Sequence, residues 1–379
     1  MALVLNEEQR ILRDSARDVL STHAPVSALR KLRDNKDPDG ISRDLWKQLV
    51  ELGWSGMAVP ETYGGSEFGF QGVGIAFEEA GRTLAATPML SSVVLGAGLV
   101  MELGNDAQRE TLVAGVVRGE TLLALAIDEQ PRHQPLNIET TARVDGNGYV
   151  LNGAKRFVLD GHIADTLLVV TRTSGANDDP NGLSVFAIPV SAEGLTVTRT
   201  WMVDSRNAAN IELNNVRCDA NALIGPVDGA GGGLERVLDL GRIALAAEML
   251  GSAQEAFDRT LAYLKMREQF GVLIGTFQAL KHRMALMFSE LELCRSAVYG
   301  ALSAVDEGAT SVALMASLAK SQAGKTFELV ADEALQMHGG IGMTDDEEIG
   351  FFLKRARAAQ HTLGDAVFHR DRYARLAGY

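Results

Sequence analysis

The hydrophobic period of this chain changes twice, and those changes limit the folds open to it. From about residue 6 to 118 apolar residues recur at helical spacing. Ile11, Leu12, Ala16, Val19 and Leu20 are read as one buried face, and Leu45, Leu49 and Leu52 repeat the pattern. Asn6, with Gln9 three residues on, has the form of a capping box. Pro60-Glu61-Thr62-Tyr63-Gly64-Gly65 interrupts the helical signal as a loop. From about 120 to 225 the pattern becomes short apolar or alternating runs: Leu122 to Ile127, Tyr149 to Leu151, Thr166 to Thr171, Ser184 to Ile188 and Asn210 to Leu213. Punctuation such as Asp145-Gly146-Asn147-Gly148 predicts hairpins of a small β domain. After Gly229-Ala230-Gly231-Gly232-Gly233 the helical period returns near 234–267, 276–304, 311–337 and 347–375. That order predicts an α+β chain: an N-terminal helical domain (1–118), a central β domain (119–225) and a C-terminal helical bundle (226–379).

A length of 379 residues, 46% of them hydrophobic, is enough for two or three buried cores at roughly 100 to 200 residues each. The net charge of -13 argues against a nucleic-acid or anionic-membrane surface, while leaving room for a local basic patch that binds an anionic cofactor. Cys218 and Cys294 are far apart in sequence and form no CxxC, so reduced thiols in a cytoplasmic protein are expected. The start, Met1-Ala-Leu-Val-Leu, lacks the basic residues and long apolar run of a secretory signal. No stretch approaches the roughly 20 apolar residues of a membrane helix, so no membrane span is expected.

Several features read as structural. The glycine run 229–233 lacks the GxGxxG register and βαβ setting of a dinucleotide loop and reads as a flexible connector. The seven histidines form no metal-ligand spacing. Met249, Leu250 and the Met284 to Phe288 run read as packing. The acidic group Asp345-Asp346-Glu347-Glu348 suits a helix start, where the helix dipole favours negative charge.

What remains is a set of motifs in a fixed order: Pro60-Glu61 with Gly64-Gly65, Leu151-Asn152-Gly153-Ala154-Lys155, Arg267-Glu268-Gln269-Phe270-Gly271 with Phe277-Gln278, and Gln336-Met337-His338-Gly339-Gly340-Ile341-Gly342. In that order and spacing the chain resembles the acyl-CoA dehydrogenase family over nearly its whole length. The resemblance implies an α domain, a central β domain and a C-terminal four-helix domain, FAD as cofactor, an acyl-CoA substrate, tetramers built from dimers, and an electron-transfer flavoprotein as electron acceptor. It also implies that Arg267 offers its guanidinium fork to the FAD diphosphate, with Gln269, Phe270, Phe277, Gln278 and Gln336 around the cofactor. Gly339 and Gly340 would let backbone approach it closely. In the family these groups serve the flavin held by the neighbouring subunit.

The ring-facing half departs from the family pattern. Where members carry an Ala-Leu-Thr-Glu-Pro-x-x-Gly-Ser-Asp-like segment, this chain has Ala124-Leu125-Ala126-Ile127-Asp128-Glu129-Gln130-Pro131-Arg132-His133, without the hydroxyls. Phe157-Val158-Leu159 replaces a Trp-Ile-Thr stretch, so residue 159 cannot give the hydroxyl hydrogen bond. The usual position of the carboxylate that takes the Cα proton holds Leu363, and the alternative position holds Gly241 ahead of Arg242. A base must lie within hydrogen-bond reach of the proton it removes, and neither Leu363 nor Gly241 has one to offer. Asp365 and Arg242 are the weak catalytic candidates, with Asp239 and Glu248 as other nearby carboxylates.

The losses fall on functions a subunit performs for its own flavin ring, and the functions it performs for its neighbour remain. Within the family the resemblance is to the small, non-base subunit of heteromeric enzymes such as pimeloyl-CoA dehydrogenase. The expected partner is therefore a homologous base-bearing subunit. Two other readings stay open: an active homomer with an unconventional base, and a non-redox acyl-CoA-binding or scaffold member of the fold.

Overall fold

The computed structural model describes residues 5–379; the sequence reading of Met1–Val4 lies outside the described residues. Contacts group the described residues into two compact units, one of residues up to Asn35 with Gly69–Ala86 and Arg242–Tyr379, the other of Lys36–Phe68 and Thr87–Gly241. In chain order the helices are α1 (Glu7–His23), α2 (Val26–Asp34), α3 (Arg43–Glu51), α4 (Phe70–Thr83), α5 (Gly98–Leu103), α6 (Asp106–Gln108), α7 (Ala114–Val117), α8 (Gly231–Met266), α9 (Gln278–Asp306), α10 (Val312–His338), α11 (Ile349–His361) and α12 (Ala366–Leu376). Among the described residues none is long and apolar enough to cross a membrane.

In the first unit α10 is central, packing against α9, α11 and α12. Its buried stripe of small residues, Ala316, Ala319, Ala323 and Ala331, lets neighbours approach closely, and Phe327 and Val330 fill the remaining space. The capping box at α1 forms as expected: Asn6 accepts from the Gln9 amide, and Gln9 accepts from the Asn6 amide. The buried face of α1 is narrower than expected, however. Ala16 and Leu20 are buried, but Ile11 is 63% exposed, because nine residues of helix turn it to the side opposite Leu20. Met284 and Met287 are core, whereas Leu286 and Phe288 on the same helix are exposed.

The second unit is built on eight strands: β1 (Leu123–Ala126), β2 (Thr141–Asp145), β3 (Gly148–Leu159), β4 (Thr166–Arg172), β5 (Leu183–Pro189), β6 (Leu195–Trp201), β7 (Asn207–Asp219) and β8 (Leu223–Ile224). Their order is β6-β7-β3-β2-β4-β5-β8, with β1 parallel to β4. The hairpin expected at Asp145-Gly146-Asn147-Gly148 is present, with Asp145 opposite Gly148 and Gly146 at φ 59°. Leu151, Val169, Phe186, Ile211 and Leu213 form the apolar core of the sheet. In the same unit Leu52 is 47% exposed, because α3 ends at Glu51 and its stripe stops at Leu49.

Two expectations need correction. The glycine run is a packed helix start, not a connector: a Cβ on Gly231 would lie 2.2 Å from the Pro180 carbonyl oxygen, and one on Gly233 2.5 Å from the Leu103 side chain. Glycine is required there by close approach. The last helical segment is also broken, into α11 and α12, by Leu363 at φ 57° and Gly364 at φ 104°.

Candidate functional site

Arg267 follows the last turn of α8, its amide donating to the Tyr263 carbonyl at 2.9 Å. The chain then makes a two-stranded hairpin, Glu268–Gln269 against Val272–Leu273, closed by the Ile274 amide on the Arg267 carbonyl at 2.9 Å. Its turn residues, Phe270 and Gly271, both have positive φ, 56° and 75°. Phe270 is 91% exposed and meets Phe277 edge-on at 6.1 Å. The Gln269 amide nitrogen donates to the Glu268 carbonyl at 2.7 Å, which engages it within the hairpin. Phe277 is extended, and Gln278 opens α9 with no side chain capping its first turn. That leaves unsatisfied N–H groups and the positive end of a long helix. The Arg267 side chain is exposed.

Gln336, Gly339 and Gly340 lie at the other motif, where α10 ends. Gly339 has φ 65° and ψ -143°, a conformation open essentially to glycine alone. A Cβ on Gly339 or Gly340 would meet no atom within 4 Å. Tyr263 joins the two motifs: its ring stacks on His338 at 4.5 Å, and its hydroxyl donates to the His338 carbonyl at 3.3 Å. The ends of α8 and α10 are thereby brought together, with Arg267 one turn beyond Tyr263 and Gly339 directly after His338. An exposed guanidinium, an uncapped helix N-terminus and two glycines beside open space fit the diphosphate of a dinucleotide cofactor. Tyr263 was not singled out from sequence, and His338 was read only as part of its motif, although the four-residue spacing from Tyr263 to Arg267 suits one helical face.

The turn at Leu363 and Gly364, where the resemblance leads one to expect the base, is tightly held. Leu363 is buried, and its carbonyl accepts from Arg242 Nε at 3.4 Å and lies 3.0 Å from His369 Nε2. Lys320, in the middle of α10, donates to the carbonyls of Gln360 and Gly364 at 3.1 and 3.0 Å. Burial, with Arg242 and Arg355 nearby, pushes the Lys320 ammonium down to about 7, partly opposed by Asp365. The Asp365 carboxylate accepts from the amides of Val367 and Phe368 at 3.0 and 2.9 Å and so caps α12. Arg242 is fully buried against the Phe368 ring, and Gly241 lies buried within α8. Glu248 is paired with Arg355 at 2.9 Å.

In the second unit, the segment after β1 is bonded into its own fold. Both Asp128 oxygens lie within 3.0 Å of His133 Nδ1. Glu129 accepts from the Glu139 and Thr140 amides and from Lys155 at 2.7 Å. Burial would raise the Glu129 carboxyl, but the Lys155 charge and these hydrogen bonds outweigh it and hold the group below its ordinary value. Burial pushes the Lys155 ammonium down to about 8, against the pull of Glu129. The lysine of the Asn-Gly-x-Lys motif thus anchors the segment. Phe157 sits in a bulge of β3 at φ 51° and is 45% exposed, and Leu159 is partly buried at the strand end.

Models of the N-terminal, middle and C-terminal domains of acyl-CoA dehydrogenases match residues 6–120, 127–216 and 231–377. The chain belongs to the acyl-CoA dehydrogenase family. Members are FAD-dependent flavoproteins. Mitochondrial isovaleryl-CoA dehydrogenase of Pongo abelii is 30% identical over 373 residues, covering 97% of this chain and 88% of that protein. A solved variant of the Tcur3481-Tcur3483 steroid ACAD is 33% identical with a TM-score of 0.87, covering 98% of each chain. The ChsE4-ChsE5 complex of Mycobacterium tuberculosis contains a chain 26% identical, with a TM-score of 0.89 and 100% coverage of both.

Proposed function

We propose that this chain is the non-base subunit of a heteromeric acyl-CoA dehydrogenase, completing the FAD site of a homologous base-bearing partner. One contrast carries the reading: Arg267, the α9 N-terminus and Gly339-Gly340 are available to a cofactor, while a leucine occupies position 363. FAD, when bound, supplies the hydride acceptor for α,β-dehydrogenation of an acyl-CoA. Arg267 holds the diphosphate, the first-turn amides at Gln278 add donors, and Gln336 with Gly339 and Gly340 lines the approach. The partner removes the Cα proton, and an electron-transfer flavoprotein takes the electrons. Two structural neighbours are described as pairs of named chains, which supports a two-chain assembly. The remaining expectation for its setting is a cytoplasmic heterotetramer.

The test is expression of the chain alone and together with its base-bearing partner, followed by measurement of flavin content and acyl-CoA oxidation. FAD retention and turnover are expected only in the complex. A homomer that loads FAD fully and turns over would overturn the proposal.

A further inference from the structure

The two glycines that end α10 pose a mechanical problem. Glycine gains the most backbone freedom when unrestrained, and nothing lies within 4 Å of where a Cβ on either would sit. Whatever freedom such a turn keeps without cofactor must be removed when one binds, and that ordering weakens affinity. On its N-terminal side the turn is anchored by the Tyr263–His338 stack. On its C-terminal side, after the 3-10 turn Gly339–Met343, the anchor comes from the far end of the sequence.

Arg33 on α2 grips both oxygens of Asp345, at 2.7 and 2.6 Å. Arg30, one helical turn earlier, donates to the same carboxylate at 2.7 Å and to the Asp345 backbone carbonyl. Both guanidinium groups also lie over the Phe351 ring, at 5.0 and 4.8 Å from its centre, with the Lys354 ammonium at 5.6 Å. Phe351 is a buried residue of α11, so the bracket is fixed to the core. The Arg33 hydrogen bond draws the exposed Asp345 carboxyl down to about 2, so it stays charged through the working range. Farther on, Arg259 on α8 binds Glu348 at 2.8 Å. An isolated exposed ion pair contributes little, but a bidentate pair shared by two arginines on one ring is a positioned network.

We infer that Asp345 is a positioning residue for the phosphate end of the flavin site, clamped by Arg30 and Arg33 so that the Gly339-Gly340 turn is ordered before the cofactor arrives. This rests on the half-site reading above. It predicts that in the co-expressed complex Asp345→Asn weakens FAD binding about fivefold, in line with the loss of a bidentate exposed pair. The KM for acyl-CoA in FAD-saturated complex is expected to stay unchanged. Arg33→Gln should weaken FAD similarly, and the double variant should be no weaker than the worse single one, because both remove the same contact. Amide exchange across residues 339–344 of the cofactor-free chain should accelerate in Asp345→Asn. Unchanged exchange, additive losses, or unchanged FAD affinity in Asp345→Asn alongside a clear loss in Arg267→Ala would overturn the inference and leave the half-site reading standing. Unchanged FAD affinity in Arg267→Ala would overturn the half-site reading itself.

Discussion

Gly339 and Gly340 are neighbours whose substitution should have different consequences. At φ 65° and ψ -143°, Gly339 holds a conformation that an alanine reaches only with strain of about 1–3 kcal/mol. Gly340 has no positive φ, and its Cβ would point into open space. Gly339→Ala should therefore lower stability by about that amount, whereas Gly340→Ala should change it by less than about 0.5 kcal/mol. Both should weaken FAD binding in the complex. Urea unfolding and FAD titration of the two variants separate the effects. Lys320 makes a pH-dependent prediction at the same scale. Its value falls from 10.5 to about 7 on folding, so between those values the unfolded chain binds a proton that the folded chain lacks. The cost of burying the charge is present in full below about 7 and is relieved as pH rises through that window. Lys320→Met removes this cost along with the bonds to Gln360 and Gly364, so it should be more destabilising near pH 9 than near pH 6. Unfolding of both proteins at the two pH values checks the sign.

At the scale of elements, the break between α11 and α12 shows where local sequence stops being informative. The hydrophobic period runs through 347–375 without interruption, and the helical reading followed it. The break depends on donors distant in sequence: Lys320 and Arg242 reach the carbonyls of residues 360, 363 and 364, holding the chain in a turn that Leu363 would not adopt alone. The glycine run that opens α8 misled for the same reason, since the need for glycine comes from Pro180 and Leu103. By contrast the α1 capping box and the β2–β3 hairpin were legible because all their partners lie within a few residues. Asp365 yields the prediction that belongs here. As the cap of α12, its replacement by Ala should cost about 1 kcal/mol, while Asn, which keeps an acceptor, should cost a few tenths at most. Turnover of the complex should be unchanged in Asp365→Asn. Loss of turnover there, with stability kept, would return Asp365 to the list of bases.

For the whole molecule, the departures that the resemblance implies lie in separate parts of the chain: the segment at 124–133, residues 157–159, Gly241, and the turn at 363. On the half-site reading, repairing one of them is not enough. Leu363→Glu expressed without a partner should remain without turnover and should show no gain in bound flavin by absorbance. A homomer made active by that one change would mean that the ring-facing half was intact. The sequence by itself determined the family and the order of helical and β regions, and it raised the proposed asymmetry of motifs, because each is written in residue type and spacing. Only the tertiary structure decided that Asp365 is a cap, that Lys155 is an anchor, that Lys320 holds the turn at Gly364, and that Arg30 and Arg33 reach Asp345. Those roles depend on which groups meet across long stretches of chain, and burial and distance assign them only once the helices have packed.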